Sequence, residues 1–146
     1  MQARKIIDKF QTKDSGAIRE ATWEILRSNN REVFAELKDY LPKFREILAS
    51  VDMGGMLHRN AKDTELAFGY IEDTCNGVCR CRLYIGQNFF DPEKEAVCGF
   101  LDIVKSEVKV SLYERHFTAR CQGCSKLLQV REVHGWHVPW YEWGDA

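Results

Sequence analysis

Four of the six cysteines in this 146-residue chain fall into two close pairs, Cys79 and Cys81 in a C-x-C and Cys121 and Cys124 in a C-x-x-C. Two such pairs can converge on one metal ion, and four sulfurs complete a tetrahedral structural shell with no open position. The stretch Arg120 to Lys126 reads as a knuckle between two strands, where Gly123 lets the backbone turn so that both sulfurs point to one side. Cys79 and Cys81 stand at the entrance to a strand, whose alternate residues project to the same side. The predicted ligand set is therefore Cys79, Cys81, Cys121 and Cys124, holding a structural Zn2+. Cys75, in Cys75-Asn-Gly-Val-Cys79, also has metal-compatible spacing and is the alternative to Cys81. Iron fits four sulfurs with similar geometry. Zinc is favoured because no other feature suggests electron transfer.

The remaining reactive residues offer less. A C-x-x-C serves thiol redox catalysis when its first cysteine sits near a helix amino terminus, and here the neighbours are strand-like. Cys98, between Val97 and Gly99 at the start of a strand, reads as a small buried hydrophobe. His116 is a reserve metal ligand, and His58, beside Arg59, reads as solvent-facing. His134 and His137 could carry protons, but Glu132 and Glu142 are the only acids close to them in sequence. No phosphate-binding glycine loop, nucleophile elbow or H-E-x-x-H helix is present. A closed four-cysteine shell also leaves no room for an activated water. A non-enzymatic protein is expected.

Elements that could position the cysteines follow from periodicity. The expected organisation is one domain, 1–146, with a helical half at 1–74 and a metal-clamped β half at 75–146. Asp14 or Ser15 can cap a helix whose Ile18, Ala21, Ile25 and Leu26 make one apolar face. Val33, Phe34, Leu37 and Leu41 form the next stripe, and Pro42 opens a helix burying Phe44, Ile47, Leu48 and Val51. After Asn60 both periods fit, and helix is favoured with Asp63 as its cap. Strands are predicted at Arg82 to Ile85, Phe100 to Val104, Glu107 to Glu114, Phe117 to Arg120 and Leu127 to Val133, with a turn at Phe90 to Pro92. Within Glu107 to Glu114, Val108, Val110 and Leu112 are expected to face the core. The fold class is α+β: N-terminal helices packed on a C-terminal antiparallel β-sheet that carries a four-cysteine, zinc-ribbon-like knuckle. Three of four tryptophans lie in the final tract, Trp136, Trp140 and Trp143. With Tyr141 they are expected to pack over the knuckle or the sheet, with partner binding as the alternative.

Composition narrows the partners. The formal net charge is -1 with acids and bases mixed, so no basic stripe exists to neutralise phosphates, and nucleic acid is not the expected partner. The first ten residues carry Arg4, Lys5, Asp8 and Lys9 and lack the apolar core of a secretory signal. No run is long and apolar enough for a membrane span, and the expected location is cytoplasmic. In that reducing setting paired cysteines are metal ligands more often than disulfides.

The order C-R-C-R-L-Y, F-D-P-E-K-E, C-Q-G-C and H-V-P-W-Y-E-W over residues 79–143 resembles a cysteine-rich group of bacterial immunity proteins of contact-dependent or polymorphic toxin systems. The resemblance implies a small cytoplasmic protein without catalysis that binds and masks a cognate protein toxin. Cys75 lies outside its pattern. The competing class is a zinc-ribbon nucleic-acid-binding or regulatory protein, in which Arg115, Arg120, Lys126 and Arg131 would contact phosphates.

Overall fold

The computed structural model describes residues 2–55, 59–135 and 138–146, so the expectations for His58, Trp136 and His137 lie outside the described residues. The fold is α+β, with helices in the first half and a four-stranded antiparallel sheet in the second. The chain forms two compact units, Met1–Val78 and Cys79–Ala146. Among the described residues no helix is long and apolar enough to cross a membrane.

The first unit holds α1 (Gln2–Gln11), α2 (Ser15–Leu26), α3 (Arg31–Lys38), α4 (Leu41–Ser50) and α5 (Asn60–Cys75). The Asp14 side chain caps α2 by accepting from the Ala17 amide, and Asn30 caps α3 through Val33. Residues given no element from the sequence form α1, whose Ala3, Ile6, Ile7 and Phe10 are buried at helical spacing. Phe10 stacks on Phe44 with ring centroids 4.1 Å apart and lies 5.7 Å from Phe68. The segment with two competing periods is helical throughout. It begins at Asn60, so Asp63 sits in the first turn of α5 instead of capping it. The Thr22 and Thr64 hydroxyls bond each other at 2.8 Å, satisfying the polar pair that α2 and α5 bury.

The second unit opens with a 3-10 turn, Arg80–Leu83, then α6 (Pro92–Val97) and the sheet β1 (Leu101–Lys109), β2 (Glu114–Cys121), β3 (Leu127–His134) and β4 (Pro139–Asp145), in the order β1-β2-β3-β4. The strand expected at Arg82 to Ile85 is thus a turn. Arg80, Cys81, Leu83 and Tyr84 are buried while Arg82 is exposed, and that spacing is helical, not alternating. The expected turn at Phe90 to Pro92 leads into α6, with Asp91 capping it through the Glu93 amide.

Two expected strands, Phe100 to Val104 and Glu107 to Glu114, are redrawn as one. β1 runs unbroken from Leu101 to Lys109 with a bulge between Ile103 and Lys105. Val110–Leu112 then forms a 3-10 turn, and Tyr113 takes a left-handed φ of 54° to reverse the chain into β2. Val108, Val110 and Leu112, expected in the core, are 68%, 77% and 60% exposed at this hairpin. Their alternation is real, but at the reversal all three side chains stay in solvent.

The buried face alternates as a half-covered sheet requires: Phe117, Ala119 and Cys121 on β2, Leu128, Val130 and Glu132 on β3, Tyr141 and Trp143 on β4. Phe117 pairs with Val130, and Val130 with Trp143. Trp143 stacks on Tyr84 at 4.3 Å and donates its indole N–H to the Phe90 carbonyl. The final aromatic tract therefore packs in part, with Tyr141 and Trp143 buried and Trp140 48% exposed. Pro139 begins β4, an edge strand, where a missing amide is tolerated.

Among the described residues Glu132 is the one buried acid on this face, bonded by Arg115 at 3.0 and 3.2 Å and by His134 at 2.8 Å. Burial opposes its charge, but Arg115 and His134 outweigh this and hold its carboxyl below the usual range. A carboxylate depressed on folding contributes stability above its unfolded pKa of about 4.3 and loses it as pH falls through the lower folded value. The Glu132→Gln variant should melt below wild type at neutral pH, and the gap should close on acidification, measured by thermal unfolding at stepped pH.

Candidate metal centre

Two local structures bring the cysteines together within the second unit. The knuckle is a tight turn between β2 and β3, closed by the Cys121 amide donating to the Lys126 carbonyl and the Ser125 amide donating to the Cys121 carbonyl, each at 2.9 Å. Ser125 takes the left-handed conformation, with φ 66°. The other half is the 3-10 turn: Cys79 precedes it with extended backbone and Cys81 lies inside it. Extended backbone at Cys79 leading into the turn at Cys81 brings the two C-x-C sulfurs together, where a strand was expected.

Cys79 Sγ lies 3.5 Å from Cys121 Sγ, and Cys81 Sγ lies 3.6 Å from Cys124 Sγ. All four sulfurs fall within 4.8 Å of one another. Zinc–sulfur bonds of about 2.3 Å in a tetrahedron place sulfurs about 3.8 Å apart, so the group has the size of a tetrathiolate cage. None of the six cysteines is in a disulfide. Four cysteines clustered this way can hold a metal ion.

Burial pushes the Cys79 and Cys81 thiols up, and neighbouring sulfurs add to the effect. Cys124 is drawn down, chiefly by the Lys126 backbone amide donating to its sulfur. Crowded, desolvated thiolates repel one another unless a cation sits among them, so ligand ionisation and metal binding are coupled.

Gly123 is required for a reason other than the one its position suggests. Its φ is not positive. A Cβ built there would lie 3.0 Å from Cys79 Sγ and 3.7 Å from Cys121 Sγ, so the glycine makes room for sulfur.

Arg80, between Cys79 and Cys81, is a supporting residue that the sequence did not reveal. Its guanidinium bonds both Glu95 oxygens at 3.0 and 3.1 Å and lies 3.9 Å from the Phe100 ring centroid. The Tyr84 hydroxyl donates to the same carboxylate at 3.2 Å. This buried network ties the C-x-C turn to α6. Its one sequence signal was a basic residue inside a run of buried spacing.

The other candidates fall elsewhere. Cys75 is the last residue of α5 and is not in the group. Cys98, expected to be buried, is exposed at the carboxyl end of α6, where the helix ends before its side chain can turn inward. His116, the reserve ligand, pairs with Glu114 at 2.7 Å on the sheet. No family model matches the chain, and no match is found among the curated proteins or the solved structures.

The Gly123→Ala substitution should weaken metal binding roughly 10- to 100-fold, the range for losing a supporting feature of a metal site. Gly144→Ala, whose added methyl meets nothing within 4 Å, should leave affinity unchanged. Competition against a chromogenic chelator measures both.

Proposed function

We propose that the protein is a non-enzymatic binding protein whose second unit is stapled by a structural zinc ion on Cys79, Cys81, Cys121 and Cys124, and that its role is to bind and neutralise a cognate bacterial toxin. The observation that carries the zinc reading is the convergence of four sulfurs from two separate segments within 4.8 Å. An all-sulfur donor set with Cys81 and Cys121 buried suits zinc in a closed site. Four protein ligands leave no position for an activated water, which favours binding over hydrolysis.

The toxin reading rests on the resemblance across residues 79–143, and one surface supports a binding role. At the end of the sheet opposite the cysteines, Val110, Leu112, Tyr113, Val138 and Trp140 are 77%, 60%, 77%, 71% and 48% exposed. Exposed apolar groups gathered at one end, with Tyr and Trp among them, have the composition of a protein-binding surface. The nucleic-acid alternative has less support, because its cations have partners within the chain. Arg115 is paired with Glu93 and Glu132, Arg131 with Glu114 and Glu142, and Lys126 with Asp145, while Arg120 donates to the Ser125 carbonyl.

Elemental analysis of the purified protein should find one zinc per chain, and chelation should abolish the near-ultraviolet circular dichroism of the second unit's stacked aromatics. A metal-free preparation equally folded would sink the zinc reading. Co-expression with the product of an adjacent toxin-domain gene should yield a complex and restore growth. Tyr113→Asp and Trp140→Ala should weaken that complex at least tenfold with zinc content unchanged, as hot-spot losses of about 2 kcal/mol do. Toxicity undiminished by the wild-type protein would refute neutralisation.

A further inference from the structure

The metal group is unevenly sheltered. Cys81 and Cys121 are each 3% exposed and Cys79 is half-buried, whereas Cys124 is exposed. An oxidant arriving from solvent therefore meets Cys124. All four sulfurs lie within 4.8 Å of one another, and across the two segments Cys81 Sγ stands 3.6 Å from Cys124 Sγ. A disulfide needs that gap to close to about 2.05 Å, a shift that side-chain rotation of an exposed residue can supply.

We propose that the site is a peroxide-sensitive switch in which oxidation joins Cys124 to Cys81 and discharges the metal while the C-x-C turn stays fastened to the knuckle. The proposal rests on the zinc reading above and concerns the regulation of that same site. The Cys124 sulfur attacks one oxygen of hydrogen peroxide, the O–O bond breaks, hydroxide leaves and a sulfenic acid forms. The Cys81 sulfur then attacks the Cys124 sulfur, the S–O bond breaks and a second hydroxide leaves. Two sulfurs lose two electrons, peroxide gains two, and two solvent protons turn the hydroxides into water. With two of four donors consumed, Cys79 and Cys121 alone hold a cation weakly.

The connectivity gives the switch its character. A bond between Cys121 and Cys124 would close the knuckle on itself and free the turn. A bond between Cys81 and Cys124 spans the same two segments as the metal, so the chemical link changes while the topology persists. The second cross-segment pair, Cys79 and Cys121 at 3.5 Å, can follow by the same route once the metal has gone. Cys98 is exposed and outside the group, so it would consume peroxide without touching the metal. A Cys98→Ser background removes it.

Zinc-loaded Cys98→Ser protein, its metal content measured first, is titrated with hydrogen peroxide. Released zinc is read by a chromogenic chelator, thiols by alkylation and mass spectrometry, and fold by circular dichroism. One equivalent of zinc should leave as two thiols are lost, with a Cys81–Cys124 peptide cross-link, unchanged far-ultraviolet spectrum, and reversal by dithiothreitol plus zinc. Thiol loss without zinc release, a Cys121–Cys124 cross-link, or release accompanied by loss of the sheet spectrum would each overturn the switch while leaving structural zinc intact. Protein that takes up no zinc before peroxide is added would overturn the zinc reading itself, and the switch with it.

Discussion

Everything in the second unit depends on bringing a short turn and a hairpin knuckle close enough for their sulfurs to share one small volume. Residues 79–146 make a compact unit of a size at which one apolar core seldom supplies ample stability. Its covered sheet face holds Phe117, Leu128, Val130, Tyr141 and Trp143, with Tyr84 laid on Trp143. The turn that carries Cys79 and Cys81 has no place in the sheet ladder, so backbone hydrogen bonds to a strand cannot secure it. Side chains must do so. A metal held by both segments adds its binding free energy to folding, because the unfolded chain has no preformed site.

The buried pair of Arg80 and Glu95 works beside that link. A buried ion pair is weak evidence for net stability, since desolvation offsets much of the attraction, but removing one partner strands the other charge at a cost of about 3–5 kcal/mol. Here the pair is fully furnished: both carboxylate oxygens accept from Arg80, Tyr84 adds a third bond, and Phe100 lies against the guanidinium. Such a network holds the Arg80 side chain at several points. It fixes the residue lying between two cysteines and therefore limits where both sulfurs can point, even before a cation arrives.

What could be read from the sequence follows from which interactions are local. The α2 cap at Asp14, most of the stripes of α2 to α4 and the strand Leu127 to Val133 depend on neighbours a few residues away and stand where periodicity places them, while Leu41, expected with α3, opens α4, and Val51, expected inward, lies half-buried past its end. The four cysteines were legible because ligand spacing is itself a local pattern. The means of convergence was not. Cys79 and Cys81 look like strand residues until Arg80 finds Glu95 and Tyr84 finds Trp143, partners farther along the chain. Val108, Val110 and Leu112 alternate as a core strand would, yet no local signal says that the hairpin reverses at Tyr113 and strands them in solvent. Gly123 was marked correctly for the wrong cause, since space for a sulfur 42 residues distant from its neighbour Cys121 cannot be seen in a four-residue motif.

The two ends of the sheet answer opposite demands. At one end the chain closes around sulfur, with short tight turns and Gly123, a geometry that suits a metal shell, which tolerates little displacement of its donors. At the other, the β1–β2 reversal leaves Tyr113 in water and the start of β4 leaves Trp140 half-exposed, apolar surface of the kind that partners cover. Antiparallel ladders joining β1 through β4 run between these ends, so fastening one end holds the strands that present the other. A surface intended to anchor a partner gains affinity when it is already ordered before contact. A metal held at the cysteines would then act on a partner at the far end only indirectly, by restraining the sheet, and loosening the cysteine end would lower affinity at residues that never touch a sulfur.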